Sequence, residues 1–393
     1  MTPPTDPPAA VDVSVVVPTR DEAENLPLLL PRIDAALRGR ATYEVLVVDD
    51  DSRDGTPAVC AALAKTYPLR LLVRTNPADG LSGAVLHGFA AAGGRTLVVM
   101  DADLQHPPER LPALLDALDA GADFVIGSRH APGASTQEQW GALRRLNSRV
   151  ATLLARPFAG RTRDPMSGFF ALRRSTLARA GRLTPLGYKI ALELMCKCRV
   201  RDAREVPIDF GTRARGYSKL TLKEQFRYLE HLSRLYDYAF PAASPRVKFL
   251  IVTAASWAVG FGLYALLATA IGQPGFAARV WPVVLAYAGA IAVTGVFHAR
   301  YVRTQRAFLV NPRPWADFLL ISAAELAAAT AAAAWLAWRV SGPTHAELLI
   351  LPFSTAMGVR YVLRKEYRFD VRGYHPDPRS AIVPSPGIRG DGG

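Results

Sequence analysis

Hydrophobic and polar positions change their rhythm twice along this chain. From about residue 13 to residue 130, short apolar runs alternate with longer amphipathic stretches. VSVVVPT, YEVLVVDD, LRLLVRT, TLVVMD and DFVIGSR are continuous apolar runs ending in polar residues. This is the signature of parallel strands buried on both faces. Between them lie AENLPLLLPRIDAALRG, closing on Gly39, then GTPAVCAALAKTY, LSGAVLHGFAAAGG and PERLPALLDALDAG. These space their apolar residues as helices do. The alternation predicts an α/β fold with an open, mostly parallel sheet and helices on both faces.

A second rhythm starts after residue 220. LTLKEQFRYLEHLSRLYDYAF places Leu222, Phe226, Leu229, Leu232, Leu235, Tyr236 and Phe240 at helical spacing, opposite Lys223, Glu224, Arg227, Glu230 and Arg234. It reads as an amphipathic helix lying in a membrane interface or packed on the soluble part. Four apolar segments follow, at 247–271, 280–299, 316–338 and 345–363. Each is near the roughly 20 residues needed to cross a bilayer. The expected plan is a Pro-rich disordered lead over 1–10, a soluble α/β domain over 11–219, the amphipathic linker over 220–245, an all-α four-helix transmembrane domain over 246–370, and a disordered tail over 371–393. The lead MTPPTDPPAA lacks the basic and apolar regions of a signal peptide.

Charge refines the picture. The formal net charge is +13, yet no nucleic-acid-binding motif accompanies it. Arg300, Arg303, Arg306 and Arg313 lie between the second and third apolar segments, and Arg360, Arg364, Lys365 and Arg368 at the end of the fourth. By the positive-inside rule both termini and the soluble domain are cytoplasmic. Glu325 falls inside the third segment, where a carboxylate wants a partner such as Arg360. The three cysteines, Cys60, Cys196 and Cys198, are too sparse for a disulfide framework and read as buried thiols.

The chemistry gathers at strand ends. TLVVMDADLQHPPER closes a strand on Asp101 and Asp103, followed by Gln105 and two prolines. Two such carboxylates in one loop call for a divalent cation with oxygen ligands. Asp50 and Arg129 end two further strands, and ligands of open α/β sheets bind outside the carboxyl ends.

VVVPTRDEAEN, VVDDDSRDGT, GLSGAVLHGF, DADLQHPPE, GSR, RDPMSGFFALRR and RARGYSKL occur in this order. Together they resemble a family 2 glycosyltransferase of the GT-A fold, in particular the polyprenol (dolichyl) phosphate mannose synthases. The resemblance spans residues 13–222. The segment with FHARYVRTQRAFLV resembles the GtrA-like membrane domain sometimes fused to these enzymes.

The resemblance implies metal binding by Asp101, Asp103 and Gln105, with Mg²⁺ or Mn²⁺ as cofactor. It implies a donor nucleotide site of Pro18, Thr19, Glu22, Asp50, Ser52, Asp101, Ala102 and Asp103. It implies an acceptor-phosphate site of Arg129, Arg144, Ser148, Arg213 and Lys219, with Asp103, Arg129 and Arg213 catalytic. The implied reaction moves mannose from GDP-mannose to polyprenyl phosphate, with inversion, beside membrane lipids. UDP-glucose or another UDP-sugar as donor is an alternative. A lipid-linked sugar transporter with a regulatory soluble domain is another, and self-association is left open. The stretch NPADG lacks the Lys that relatives often carry before the helix-opening glycine.

Overall fold

The computed structural model describes residues 11–75, 77, 80–136, 142–184, 186–187, 189–211, 222–271, 275–297, 314–340 and 345–368. It divides after Leu235 into two compact units, the second running from Tyr236.

The first unit is built on β1 (Val13–Thr19), β2 (Tyr43–Asp49), β3 (Leu69–Val73), β4 (Thr96–Val99), β5 (Phe124–Ser128), β7 (Phe170–Arg173) and β8 (Ala203–Pro207). Their order in the sheet is β3-β2-β1-β4-β7-β5-β8. All neighbours are parallel except β7, which runs antiparallel between β4 and β5. Val15, Val16 and Val17 are all fully buried, as strands covered on both faces require. The short β6 (Ser135–Thr136) pairs in parallel with β9 (Asp209–Phe210).

Helix α1 (Leu26–Leu37) buries Leu26, Leu29, Leu30, Ile33 and Leu37, one stripe at helical spacing. The chain leaves it through Gly39 at φ +77°. Helices α2 (Thr56–Leu63), α3 (Gly80–Ala91) and α4 (Leu111–Asp119) complete the expected alternation. α3 approaches the sheet so closely that a Cβ on Gly88 would lie 2.4 Å from Val16 Cγ1. The strands β7 and β8 depart from the sequence reading, which places no strand after residue 130 and treats FFALRR only as a motif. Four residues between a turn and the short α6 (Arg174–Leu177) carry no periodicity of their own.

Helices α5 (Ala142–Ala159) and α7 (Ile190–Lys197) lie before and after β7 in sequence, and α8 (Leu222–Ala239) follows β9. α8 is the expected amphipathic helix. Part of its apolar face is covered: Leu232 and Leu235 are buried, whereas Phe226 and Leu229 are exposed. Tyr228 Oη donates to Ala151 O of α5 at 2.8 Å. His231 is fully buried, 2.6 Å from Glu193 on α7. Cys60 and Cys198 are buried and Cys196 half-buried, all as free thiols. Burial pushes their pKa values up to about 11, 12 and 12 in the order Cys60, Cys196, Cys198, away from the thiolate form.

The second unit contains α9 (Ser244–Ile271), α10 (Phe276–Phe297), α11 (Pro314–Arg339) and α12 (His345–Arg368). Among the described residues three stretches are long and apolar enough to cross a membrane: Arg246–Ala270, Phe276–Val293 and Leu319–Arg339. The fourth expected segment is helical but is not one of those three. The core of this unit is Val283, Ala286, Tyr287, Ala329, Ala333, Phe353 and Ala356. Small residues let the helices approach: a Cβ on Gly260 would lie 2.3 Å from the Phe353 ring. Arg360 Nε donates to Glu325 Oε1, and both side chains are buried.

Candidate active site

The site is the carboxyl edge of the sheet, where strand order reverses between β1 and β4. Pro18 and Thr19 are the last residues of β1 rather than loop residues. Thr19 Oγ1 donates to Val48 O and to Asp49 Oδ1, both at 3.3 Å. Asp49 is buried and receives Ser52 N at 3.0 Å as well as Ser52 Oγ. Ser52 Oγ in turn accepts from Asp21 N at 2.7 Å. Thus Asp49 and Ser52 stitch the β1 and β2 loops together. Glu22 accepts from Asn25 Nδ2 at 2.6 Å and its amide donates to Thr56 Oγ1. Asp50 is paired with Arg74 at 2.9 Å. Burial pushes the Asp50 pKa up, more than the nearby Arg74 and Arg20 charges pull it down.

The loop after β4 holds the expected cation ligands. The Asp101 side chain is about one-third exposed, while Asp103, Gln105 and Ala102 are buried. Gln105 N donates to Asp103 Oδ1 at 3.2 Å, and Gln105 Nε2 donates to Gly211 O at 3.2 Å. The second bond orients the carboxamide. Leu104, between them, sits at φ +62°, a conformation that costs a bulky residue energy and is kept where a loop's shape matters. Among the described residues no three His, Cys, Asp or Glu side chains cluster to enclose a metal. Two carboxylates and an amide instead fit a hard cation that completes its shell with ligand oxygens.

His106 is a support that the sequence reading left without a role. It is buried, stacked on Phe169 at 5.5 Å and edge-on to Phe210 at 5.5 Å. Its Nδ1 accepts from Asp101 N at 3.4 Å. Burial pushes its pKa down to about 4, so it is a neutral wedge beneath the Asp101 loop.

Arg129 follows β5, as expected. Its Nε and Nη2 each donate to Asp164 at 2.7 Å, and its backbone N donates to Asp164 Oδ2 at 3.0 Å. Its guanidinium also lies 5.2 Å from the Phe210 ring centroid. Burial pushes the Asp164 pKa up, but hydrogen bonds and charge from Arg129 outweigh this and hold it below the usual range. Asp164 was missed because it lies in a motif, DPMSG, whose residues carry no obvious chemistry in a row. Lys189, also missed, donates from Nζ to Met166 O of that motif at 3.3 Å. Burial, then the Arg129 charge, push its pKa down to about 7.

Ser148 is half-buried on α5. The Arg144 side chain, and all of Arg213 and Lys219, lie outside the described residues. The acceptor-side constellation is thus described only at Arg129 and Ser148.

A family model described as glycosyl transferase family 2 matches residues 14–181. A dolichol-phosphate mannosyltransferase of Saccharomyces cerevisiae is 41% identical over 262 residues, which are 64% of this chain and 95% of that protein. The chain belongs to glycosyl transferase family 2. Another dolichol-phosphate mannosyltransferase, of Pyrococcus furiosus, is 46% identical over 229 residues, 58% of this chain; the chain covers 64% of that protein's length. A polyprenol monophosphomannose synthase of Mycolicibacterium smegmatis is 40% identical over 217 residues, 53% of this chain and 80% of that protein. The enzyme is a glycosyltransferase, and its strand-end carboxylates lie within or beside the matched region.

Proposed function

We propose that this glycosyltransferase moves mannose from GDP-mannose to a polyprenyl phosphate at the cytoplasmic face of a membrane. The observation that carries this reading is the Asp101–Gln105 loop at the switch point of the sheet, with the Asp164-held Arg129 two strands away. The names of the matched relatives support mannose and a polyprenyl phosphate.

In this reading Pro18, Thr19, Glu22 and Asp50 line the nucleoside side, with Ser52 bracing Asp21 and Asp49. Asp50 accepts a ring N–H of the base, which guanine and uracil both offer. Asp101, Asp103 and Gln105 would hold Mg²⁺ or Mn²⁺ for the donor pyrophosphate; Ala102, between the two carboxylates in sequence, is buried in the hydrophobic core. The cation's contribution is to stabilise the negative charge of the departing nucleoside diphosphate.

The nucleophile is an oxygen of the lipid monophosphate, whose second pKa is roughly 6, so it is ionised at neutral pH. No general base is required. Arg129, Arg144, Ser148, Arg213 and Lys219 are assigned to orient that phosphate; Arg129 is pre-aimed by its fork onto Asp164. Catalysis then rests on positioning and on fixed charge. A single in-line displacement inverts the anomeric centre. The arginines of 300–313 and 360–368 support cytoplasmic placement of the soluble unit.

The test is a donor screen. Membranes holding the protein receive polyprenyl phosphate, Mg²⁺ or Mn²⁺, and labelled GDP-mannose, UDP-glucose or UDP-N-acetylglucosamine in separate reactions. Lipid-extractable label from GDP-mannose alone, abolished by EDTA, supports the reading. Label from a UDP-sugar overturns the donor, and no label from any donor overturns lipid-phosphate glycosylation.

A further inference from the structure

Two loops at the carboxyl edge of the sheet meet amide by amide. Asp21, Glu22 and Ala23 follow β1, and each of these three consecutive backbone N–H groups donates to a side-chain oxygen of the loop between β2 and α2. Asp21 N reaches Ser52 Oγ at 2.7 Å, Glu22 N reaches Thr56 Oγ1 at 3.2 Å, and Ala23 N reaches Asp54 Oδ2 at 2.8 Å. One bond runs the other way, from Arg53 N to Asp21 Oδ1 at 3.0 Å. Thr56 Oγ1 donates in turn to Asp54 Oδ1 at 2.6 Å, and Thr56 N donates to the same oxygen at 3.1 Å. Asp54 thus joins the first turn of α2 to the loop after β1, with one carboxylate oxygen for each.

Helix capping accounts for only half of this arrangement. A carboxylate just before α2 satisfies an otherwise orphaned helix amide through Oδ1. Its Oδ2 and the buried Thr56 hydroxyl go to the neighbouring loop instead. Asp21 and Asp51 stand at φ +59° and +56°. Side-chain-bearing residues keep that left-handed conformation where surrounding bonds dictate it, and such positions gather at ligand clamps. Burial pushes the Asp54 pKa up, but hydrogen bonds from Thr56 and Ala23 outweigh this and hold it below the usual range. At the centre of the run is Glu22. Its amide is held by Thr56, its carbonyl accepts from Asn25 N and Leu26 N at 3.1 and 3.2 Å, and its side chain accepts from Asn25 Nδ2 at 2.6 Å. Glu22 is therefore fixed to α1 through Asn25 and to α2 through Thr56. Asp50 opens the loop that supplies the three side-chain oxygens.

We propose that Asp54 and Thr56 are positioning residues for the donor nucleotide: they set Glu22 on one loop against Asp50 on the other, so that the nucleoside enters a preformed slot. The proposal rests on the reading above that Glu22 and Asp50 line the nucleoside side. Asp54 and Thr56 act through those two residues and through the backbone of the β1 loop. Preorganisation of this kind lowers the ordering cost of binding. Its loss weakens the nucleoside end of the donor and leaves the phosphate and acceptor ends alone.

The experiment uses the full-length protein in detergent with Thr56→Val, Thr56→Ser, Asp54→Asn and Asp54→Ala. Thr56→Val keeps the backbone N–H that Asp54 caps and removes only the hydroxyl, which separates positioning from capping. Calorimetry measures binding of GDP, UDP and pyrophosphate, each with Mn²⁺, and of polyprenyl phosphate. Steady-state rates give KM and kcat for GDP-mannose. With melting temperatures near wild type, Thr56→Val and Asp54→Ala are expected to weaken GDP about tenfold, the scale of one or two lost hydrogen bonds. The KM for GDP-mannose rises by a similar factor while kcat changes about twofold or less, the mark of lost uniform binding. Pyrophosphate and polyprenyl phosphate keep wild-type affinity, and Thr56→Ser recovers most of the loss.

Wild-type affinity for GDP in Thr56→Val and Asp54→Ala overturns the proposal. So does an equal loss for GDP, pyrophosphate and polyprenyl phosphate with a lowered melting temperature, which marks a general loosening of the fold. If Asp54→Ala does not fold, Asp54→Asn and Thr56→Val carry the decision. A wild type that prefers UDP overturns the GDP-mannose donor without touching this proposal, and the variants are then compared on UDP. A wild type that binds neither nucleotide overturns the reading of the nucleoside side, and the proposal with it.

Discussion

Asp164 and Asp103 are both carboxylates at one sheet edge, but their replacements should fail differently. Asp164→Ala leaves the half-buried Arg129 guanidinium without its fork partner. Removing one partner of a buried pair costs about 3 kcal/mol, so the melting temperature should drop and the KM for polyprenyl phosphate should rise. Asp103→Ala removes a proposed metal ligand and the acceptor of Gln105 N. Its stability should be near wild type, while kcat falls on the order of 100-fold or more, the scale of losing one charge-stabilising group. Unfolding curves and initial rates across a Mn²⁺ titration separate the two. A wild-type Mn²⁺ dependence in Asp103→Ala would remove it from the metal site.

At the scale of elements, a buried cluster fastens α8 to α7. Glu193 lies 2.6 Å from both His231 and Lys197, and it accepts from Thr184 N at 2.7 Å. Burial pushes the Glu193 pKa up, but His231 and Lys197 outweigh it and hold it at about 2, below the ordinary 4.5. A depressed carboxylate contributes stability that is complete above about pH 4.5 and is lost as pH falls toward 2. That loss is on the order of 3 kcal/mol. Thermal unfolding from pH 6 to pH 3 should therefore fall more steeply in wild type than in Glu193→Gln. Gly88→Ala tests the packing of α3 on β1. Its new methyl meets Val16, and overpacking of this kind costs roughly 1–3 kcal/mol, readable by denaturant unfolding.

At the scale of the whole molecule, the second unit holds its own buried ion pair. Glu325 and Arg360 join α11 to α12 with both side chains hidden. Glu325→Leu leaves a buried guanidinium and should lower the melting temperature in detergent, by an energy of about 3 kcal/mol. Replacing both partners with apolar residues should recover most of it. A double variant no better than the single one would show that the pair is tied to other groups. The positive-inside distribution predicts that single cysteines placed at residues 305 and 370 are labelled by an impermeant maleimide only after cells are opened, since both flank basic segments.

The alternating pattern up to residue 130 determined the parallel strands β1 to β5, because each strand buried on two faces must be an apolar run and each helix must show a stripe; the parallel β8 lies beyond it. It also determined that Asp50, Asp101, Asp103 and Arg129 end strands, since polar residues bounding such runs can lie only at their tips. The apolar segments after residue 246 likewise announced long helices. The tertiary structure alone decided what those tips are set against. β7 enters the sheet antiparallel because a four-residue run takes its partners from β4 and β5, which are about 74 and 46 residues earlier in the chain. The grip of Asp164 on Arg129 spans 35 residues, and that of Glu193 on His231 spans 38. No periodicity links such positions. A buried charge finds its counter-charge through the fold, and this is why Asp164, Lys189 and His106 became legible only once the chain was closed around them.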